Sequence, residues 1–447
     1  MYQTLPVRII PTSQQEELLW ILSEKCRLLY NFALAERKDA YSNGMKISYI
    51  KQQNDLPNTK KQYPEYKWVY SKVLQSVLKR LDANYKSFFS LKRNCDENAR
   101  PPKYRGVDYF FTMTYNQSGF EITDSKSNKI AYNSTDTTNY LYGADKPEYT
   151  EDDEVFISFS HNHPSGLELK FGLPAKILYD RILRVADEIA QVGIYQKKDG
   201  GYYLSITYNV PCLDFKHNDK YLAMDIGVNK HTMVDSDGNL REMINKRPDK
   251  YREPKIQQIQ SRLDHCKRYS KKWYRLKRNL NRMKQKSSNQ LKDFQHKKTR
   301  NIVDNTDASV IIIGDLSAKQ MASSKKGDKK SDKSTHRGTH NSGYIGRFAQ
   351  FLAYKSLRVG KRIIEIDESY TSQDCCNCGY RQKMPLYERN YNCPYCRQSM
   401  DRDKNSAIVI MERYLRQNAL WTGYQHFTDN LRQTGLLIGM ITQSLPG

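Results

Sequence analysis

Long apolar runs are missing from this chain of 447 residues. No segment approaches 18 consecutive apolar side chains, and the opening MYQTLPVRIIPTSQQEELL has no signal-like apolar core, so neither a membrane-spanning helix nor a secretory leader is expected. Acid is also in short supply, with 49 Asp and Glu against 73 Lys and Arg and a net charge of +24. A deficit this large exceeds what solubility needs and points to a polyanionic partner. Cysteine is sparse, nine in all, and four of the nine fall in one metal-binding pattern, which suits a reducing compartment. Aromatics are not scarce: they make up 11% of the chain and include 33 tyrosines, which sets it apart from disordered basic tails. Tyrosine stacks on bases and hydrogen-bonds phosphates, favouring nucleic acid over a membrane surface. The length allows about two to four domains with well-buried cores.

The four patterned cysteines are Cys375, Cys378, Cys393 and Cys396, spaced C-x2-C-x14-C-x2-C. Each C-x2-C pair can present two thiolates from one tight turn, and two such knuckles complete a tetrahedral shell for Zn2+. Gly379 follows the second thiol, where a knuckle often needs positive φ. Disulfides or unrelated thiols are the plainer alternative, and this spacing argues against them. Neighbouring Cys376 is expected to leave the turn in another direction and take no part. With four protein ligands the shell is closed, so the ribbon is structural and any chemistry lies beside it.

Along the chain, residues 2–10 alternate like a strand, and Thr12 or Ser13 caps a helix in which Leu18, Leu19, Leu22, Cys26, Leu29 and Phe32 repeat at helical spacing. A second helical stretch covers residues 69–93. Between Tyr109 and Val210 the period changes to two, in FFTMTYN, VFISFS, LELKFG, RILRVADEIAQVGIYQ and YYLSITYNV. Residues 124–154 interrupt this region as a polar surface loop. The simplest architecture here is a β-barrel-like domain with an inserted helical module. From Tyr221 the chain reads strand, turn, strand, Asp-Gly turn. About a third of residues 248–301 are then Lys or Arg, with Tyr251, Trp273, Tyr274, Leu276, Leu280, Met283, Leu291 and Phe294 spaced as on amphipathic helices. Such a stretch can be a merely solvated face, but the excess of one sign favours a nucleic-acid surface, with Lys271, Lys272, Arg275, Lys277 and Arg278 as candidate phosphate ligands. SVIIIGDL reads as a buried parallel strand. A low-complexity basic loop follows, then a helix, the strand RIIEIDE, the cysteine ribbon and a last helix at NSAIVIMERYL. The tail beyond Arg416 carries no clear signal. The C-terminal half is thus an α/β sheet domain with a zinc insertion.

Three acids stand at element ends in that half: Asp225 in YLAMDIG, Glu368 after RIIEID, and Asp403 in DRDKNSA. Ligand sites in α/β sheets lie at the carboxyl ends of strands, and three converging carboxylates there can hold Mg2+ for phosphodiester cleavage. Singly, each has a plainer reading: Asp225 as a turn residue, Glu368 as a solvated strand end, Asp403 as a helix cap.

These motifs resemble the TnpB family, transposon-encoded RNA-guided nucleases related to compact type V CRISPR effectors and to Fanzor proteins. The likeness covers nearly the whole chain. VRIIPTSQQEELLWILSEKCRLLYNFAL and RPPKYRG look like the family's wedge and recognition segments, YLAMDIGVNKHTMV like its first RuvC motif, and DRDKNSA like its third. By this similarity Asp225 and Asp403 match the first and third catalytic acids. One departure stands out: family members commonly carry Glu-Asp-Leu at the end of the second motif strand, where this chain has Gly314-Asp315-Leu316. Some members have moved the glutamate to the next strand. Alternation puts Ile364, Ile366 and Glu368 on one face and Ile363, Glu365 and Asp367 on the other, so Glu368, nearest the strand end, is taken as the relocated ligand. Glu365 and Asp315 should face away.

The fold implied is multidomain α+β: a wedge β-barrel at 1–15 and 101–215, a helical recognition module at 16–100, a RuvC-like nuclease of the RNase H fold at 216–371 and 400–420, a zinc ribbon that binds target nucleic acid at 372–399, and a tail at 421–447. The implied function is an RNA-guided DNA endonuclease of a transposable element, acting as a monomer. Its expected cofactors are structural Zn2+, catalytic Mg2+ and a guide RNA from the element's end. Its target is double-stranded DNA beside a short motif. It would work in the cytoplasm at the nucleoid of a prokaryote, or in a eukaryotic nucleus. Two rivals are a nuclease-inactive RNA-guided DNA-binding regulator of the same fold, and a zinc-ribbon RNA-binding protein without a DNA target, which leaves the acids unexplained.

Overall fold

The computed structural model describes residues 1–96, 98–127, 129, 154–174, 182, 188–245, 247, 250–315, 344–385 and 388–438. The chain divides into two compact units, Met1–Pro211 and Cys212–Gly447.

In the first unit, strand β1 (Tyr2–Ile9) leads into the 30-residue helix α1 (Ser13–Ser42). Thr12 is the cap: its hydroxyl accepts from the Gln15 amide at 3.2 Å, and its own amide donates to the Gln15 side chain at 3.0 Å. The helix buries Leu18, Leu19, Leu22, Cys26, Leu29 and Tyr30, but Phe32, expected in that stripe, is 51% exposed. Two short helices, α2 (Tyr49–Asn54) and α3 (Leu56–Gln62), precede α4 (Ser71–Arg93), which buries Val73, Leu74, Val77, Leu78 and Leu81 in the core shared with α1.

Six further strands follow: β2 (Met113–Asn116), β3 (Phe120–Thr123), β4 (Glu154–Phe159), β5 (Leu169–Pro174), β6 (Glu188–Gln196) and β7 (Tyr202–Asn209). The expected barrel is not closed among the described residues. The strands form two open antiparallel sheets instead, ordered β1-β7-β6-β2 and β3-β4-β5. Most of the expected 124–154 loop, and the start of the stretch expected to lead into β6, lie outside the described residues.

The second unit is built on a five-stranded mixed sheet ordered β10-β9-β8-β11-β12. Strands β8 (Tyr221–Ile226), β9 (Lys230–Asp235) and β10 (Leu240–Ile244) form an antiparallel meander. A helical hairpin comes next, α5 (Glu253–Asp264) and α6 (Lys271–Asp304). Strand β11 (Val310–Gly314) pairs parallel with β8 and with β12 (Arg362–Ile366), which follows helix α7 (Tyr344–Arg358). The basic loop expected after β11, with Leu316, lies outside the described residues. A short hairpin, β13 (Asn390–Asn392) with β14 (Ser399–Asp401), leads into α8 (Arg402–Gln417) and α9 (Trp421–Gln433).

Alternation sorts this sheet into two apolar faces. Tyr221, Ala223, Val310, Ile312 and Ile366 join one buried cluster with Ala407, Ile408 and Met411 of α8. Leu222, Met224, Ile311 and Ile313 join the other with Leu291, Ile302, Phe348 and Leu352 of α6 and α7. The tail corrects the sequence reading. Residues 421–433 are helical and bury Phe427 and Leu431 in the α8-side core, while Leu436 accepts from the Gln398 side chain at 2.8 Å. No described helix is long and apolar enough to cross a membrane.

Candidate active site and cysteine ribbon

On the α8 side of the sheet, the row that buries Tyr221 and Ala223 continues along β8 to Asp225, which pairs with Thr232 of β9. The neighbouring row of β11, after Val310 and Ile312, ends on Gly314. Strand β12 stops at Ile366, so Glu368 lies two residues beyond it rather than within it. Its side chain lies against Gly314. The Glu368 carbonyl is held by the Thr371 amide at 3.1 Å and the Thr371 hydroxyl at 3.0 Å. Glu365 pairs with Ile313 and is exposed.

Asp403 occupies the first turn of α8 but does not cap it. Asp401 does, accepting from the amides of Asp403 at 2.9 Å and Lys404 at 3.3 Å. The Asp403 carboxylate is therefore free of the duty that the plainer reading gave it. Lys230, at the start of β9, lies 2.9 Å from both Asp401 and Glu242 and 3.7 Å from Asp403.

The acids share one electrostatic environment. Burial, then the charges of Asp403 and Glu368, push the Asp225 carboxyl up to about 7, against the pull of Arg402 and Lys230. Burial, then Asp315 and Asp367, push Glu368 up to about 7. Asp315, expected to face away, is thus exposed yet close enough to disfavour charge on Glu368. The carboxylates are less tightly gathered than the cysteines: among the described residues, only the four sulfurs form a metal-ligating set with all atoms within 4.8 Å of one another.

Those sulfurs belong to Cys375, Cys378, Cys393 and Cys396. Cys375 and Cys396 are 3.6 Å apart, as are Cys378 and Cys393. A tetrahedron with Zn–S bonds of about 2.3 Å has edges of about 3.8 Å, so the spacing fits Zn2+. The knuckles repeat one turn: Gly379 donates to the Cys375 carbonyl at 2.8 Å and Arg397 to that of Cys393 at 3.0 Å, with φ of 74° and 60°. Gly379 suits that left-handed position, and Arg397 adopts it at some steric cost. Tyr391 is fully buried beneath the ribbon and donates to the carbonyls of Gln373 and Tyr380. Cys376 points elsewhere as expected, into the α8-side core, 3.7 Å from the Met400 sulfur.

Two residues that sequence reasoning passed over tie ribbon and acids together. Fully buried Asn405 accepts from the Cys376 amide at 3.0 Å and donates to the carbonyls of Asp374 at 2.7 Å and Thr371 at 3.4 Å. Arg413 donates to the Asp367 carbonyl at 2.9 Å and the Asp374 carboxylate at 2.7 Å. The sequence signal was weak: Asn405 stands between Lys404 and Ser406 in the first turn of α8, just ahead of the apolar run 407–411, and only its burial shows that it needs partners.

The basic hairpin has its own small core of Ile259, Leu263, Leu276 and Leu280, with Trp273 packed against it. Lys271, Lys272, Arg275, Lys277 and Arg278 are all exposed on α6. No acid interrupts the sequence between Asp264 and Asp293.

Comparison with known proteins places these pieces in order. Residues 205–325 match a family model described as "Probable transposase", residues 346–410 a Cas12f1-like TNB domain, and residues 1–46 a helix-turn-helix domain of the same transposase group, although here that segment is one strand and one long helix. InsQ of Escherichia coli (strain K12), named as a candidate RNA-guided DNA endonuclease, is 24% identical over 92% of this chain and 91% of its own length. TnpB-like protein L79 of Acanthamoeba polyphaga mimivirus is 28% identical over 32% of this chain and 26% of its own. Among solved structures, Cas12f1 in complex with guide RNA and target DNA aligns with a TM-score of 0.57 at 11% identity, covering 92% of this chain and 98% of that one. The mini-RNA-guided endonuclease Cas-phi3 aligns at 0.53 and 10%, covering 92% of each. These structural likenesses carry the fold alone. With the transposase, TNB and helix-turn-helix segments matched, and InsQ similar over nine-tenths of both chains, this protein is similar along its length to the TnpB proteins.

Proposed function

We propose that this protein is a transposon-encoded, RNA-guided DNA endonuclease whose RuvC-like site uses Asp225, Glu368 and Asp403 to hold Mg2+. The observation that carries the reading is where the acids stand: Asp225 near the carboxyl end of β8, Glu368 past the end of β12 with its side chain against Gly314 of β11, and Asp403 in the first turn of α8, with the charges of Glu368 and Asp403 disfavouring ionised Asp225. Two half-buried carboxyls, Asp225 and Glu368, that resist holding negative charge suit a hard divalent cation. Bound Mg2+ would acidify water and stabilise the leaving oxygen of a phosphodiester.

The chain's own residues prepare that chemistry. Asp225 and Glu368 surrender their protons near neutrality when positive charge enters. Asp401 caps α8, leaving the Asp403 carboxylate available, and Lys230 steadies both. The cysteines hold Zn2+ and fix the loop leading from Glu368. The basic face of α6 takes guide-RNA phosphates, and base pairing with the guide selects the DNA next to a short motif.

The test is cleavage of a target plasmid by protein purified with its RNA, in Mg2+ against EDTA. Guide-dependent, Mg2+-dependent cutting is expected. Guided binding without cutting in either Mg2+ or Mn2+ would leave an RNA-guided regulator in its place.

A further inference from the structure

Gly314 ends the central parallel strand, is buried, and has a backbone outside the left-handed region. Its conformation therefore does not call for glycine, and glycine within a strand weakens it. The reason lies across the site. A methyl carbon at position 314 would lie 2.7 Å from Glu368 Cβ, 3.0 Å from its Cδ and closer still to Oε2. Its three nearest neighbours would all be atoms of Glu368.

That collision cannot be relieved by swinging a flexible tip, because Cβ follows the backbone. The Glu368 backbone is itself held through its carbonyl by both the amide and the hydroxyl of Thr371. Thr371 in turn is tied to Asn405 of α8. Any side chain at position 314 must push Glu368 and this anchored segment away from the sheet.

We infer that Gly314 is a positioning residue: the missing side chain is the cradle in which the Glu368 carboxylate sits beside Asp225, so positions 314 and 368 can supply only one carboxylate between them. This rests on the reading of Glu368 as a metal ligand. It adds that a residue unable to bind a cation governs whether the site can.

The experiment is a cycle of variants in the full-length RNA-bound protein, read by guided cleavage and by Mn2+ binding in electron paramagnetic resonance. Gly314→Ala should cut about a hundredfold more slowly, as expected for a reacting group displaced by about an ångström. Its Mn2+ affinity should fall about tenfold, while guided DNA binding and zinc content hold. Adding Gly314→Ala to Glu368→Ala should weaken Mn2+ binding no further, since both act through one carboxylate. The exchanged pair Gly314→Glu/Glu368→Gly, which moves the carboxylate to one position and the missing side chain to the other, should recover Mn2+ affinity and cutting that each single change loses. Parental cutting and Mn2+ affinity in Gly314→Ala, or additive losses in the combination, would overturn the role of Gly314. So would an exchanged pair that fails to fold, because it no longer contains the collision. If Asp225→Ala and Glu368→Ala weaken Mn2+ binding but Gly314→Ala does not, the ligand reading stands and only the cradle falls. If neither acid matters to Mn2+, both fall together.

Discussion

The cysteine ribbon and the carboxylate cluster are both candidate cation sites, and they are assembled in opposite ways. The ribbon draws its four ligands from positions 375–396, on two turns of the same design closed by local hydrogen bonds. All four sulfurs lie within 4.8 Å of one another. The carboxylates come from positions 225, 368 and 403, carried by a strand, a strand exit and a helix start. They resist one another, and burial pushes two of them up to about 7. A thiolate shell made by local turns is set by spacing, whereas an oxygen shell made by tertiary structure is set by strand parity, glycine placement and the cation's own charge.

The largest expected effect tests whether the acids act as one unit. Asp225→Ala, Glu368→Ala and Asp403→Ala should each reduce cleavage by about a thousandfold or more, with guide-dependent binding intact. Glu365→Ala, on the opposite face, should be mild. Asp315→Ala should also be mild, because Asp315 is exposed and acts on Glu368 only through its charge. Cleavage lost in Asp315→Ala but kept in Glu368→Ala would reverse the assignment of the second ligand.

The ribbon should fail differently. Cys375→Ser or Cys396→Ser should lower zinc from about one ion per chain and loosen the loop that begins at Glu368. Cys376→Ser should keep its zinc yet lose about 1–2 kcal/mol of stability, because a hydroxyl replaces a thiol buried against Met400. Equal zinc loss in all three, by metal analysis, would break the ligand assignment.

Charge reversal on the hairpin separates binding from cutting. Changing several of Lys271, Lys272, Arg275, Lys277 and Arg278 to Glu should weaken RNA binding roughly tenfold or more. It should flatten the salt slope by about 0.7–0.9 for each phosphate that is no longer neutralised. An unchanged slope would leave α6 a solvated face.

What was legible in the sequence follows the same division. The knuckles were readable because their ligands are close in sequence, and the Glu368 side chain lies against Gly314 because the alternation through Ile364 and Ile366 continues past the end of β12. The unclosed sheets of the first unit were not readable, since alternation gives the faces of strands and not their partners. Phe32 fits the helical period of α1 yet points to the exterior, because period alone does not fix the width of the buried stripe. Helix α9 carried a signal, with Leu420, Tyr424, Phe427 and Leu431 at helical spacing, that polar neighbours and Gly423 obscured. The steric claim of Glu368 on Gly314 has no trace in either residue alone.

The smallest effect probes the residue that makes the two sites one structure. Asn405 supplies one acceptor and two donors to backbone groups of the segment running from Glu368 into the first knuckle. Asn405→Ala leaves those groups unpaired in a buried place, which should cost about 1–3 kcal/mol and be seen as a lower melting temperature. Zinc should stay, because no sulfur moves out of its own knuckle. Cleavage should fall only about tenfold, since the acids remain but their shared support is looser. Asn405→Asp asks a sharper question. It keeps the acceptor for Cys376 but sets a carboxyl against two carbonyl oxygens, so it fits only while protonated and its folded pKa is raised. Its stability should then match or exceed that of Asn405→Ala near pH 4 and fall as the pH rises past the ordinary carboxyl range toward neutrality, whereas Asn405→Ala should show no such slope relative to the parent. Parallel melting profiles for the two variants across that range would show that Asn405 fills space rather than joining ribbon to acids.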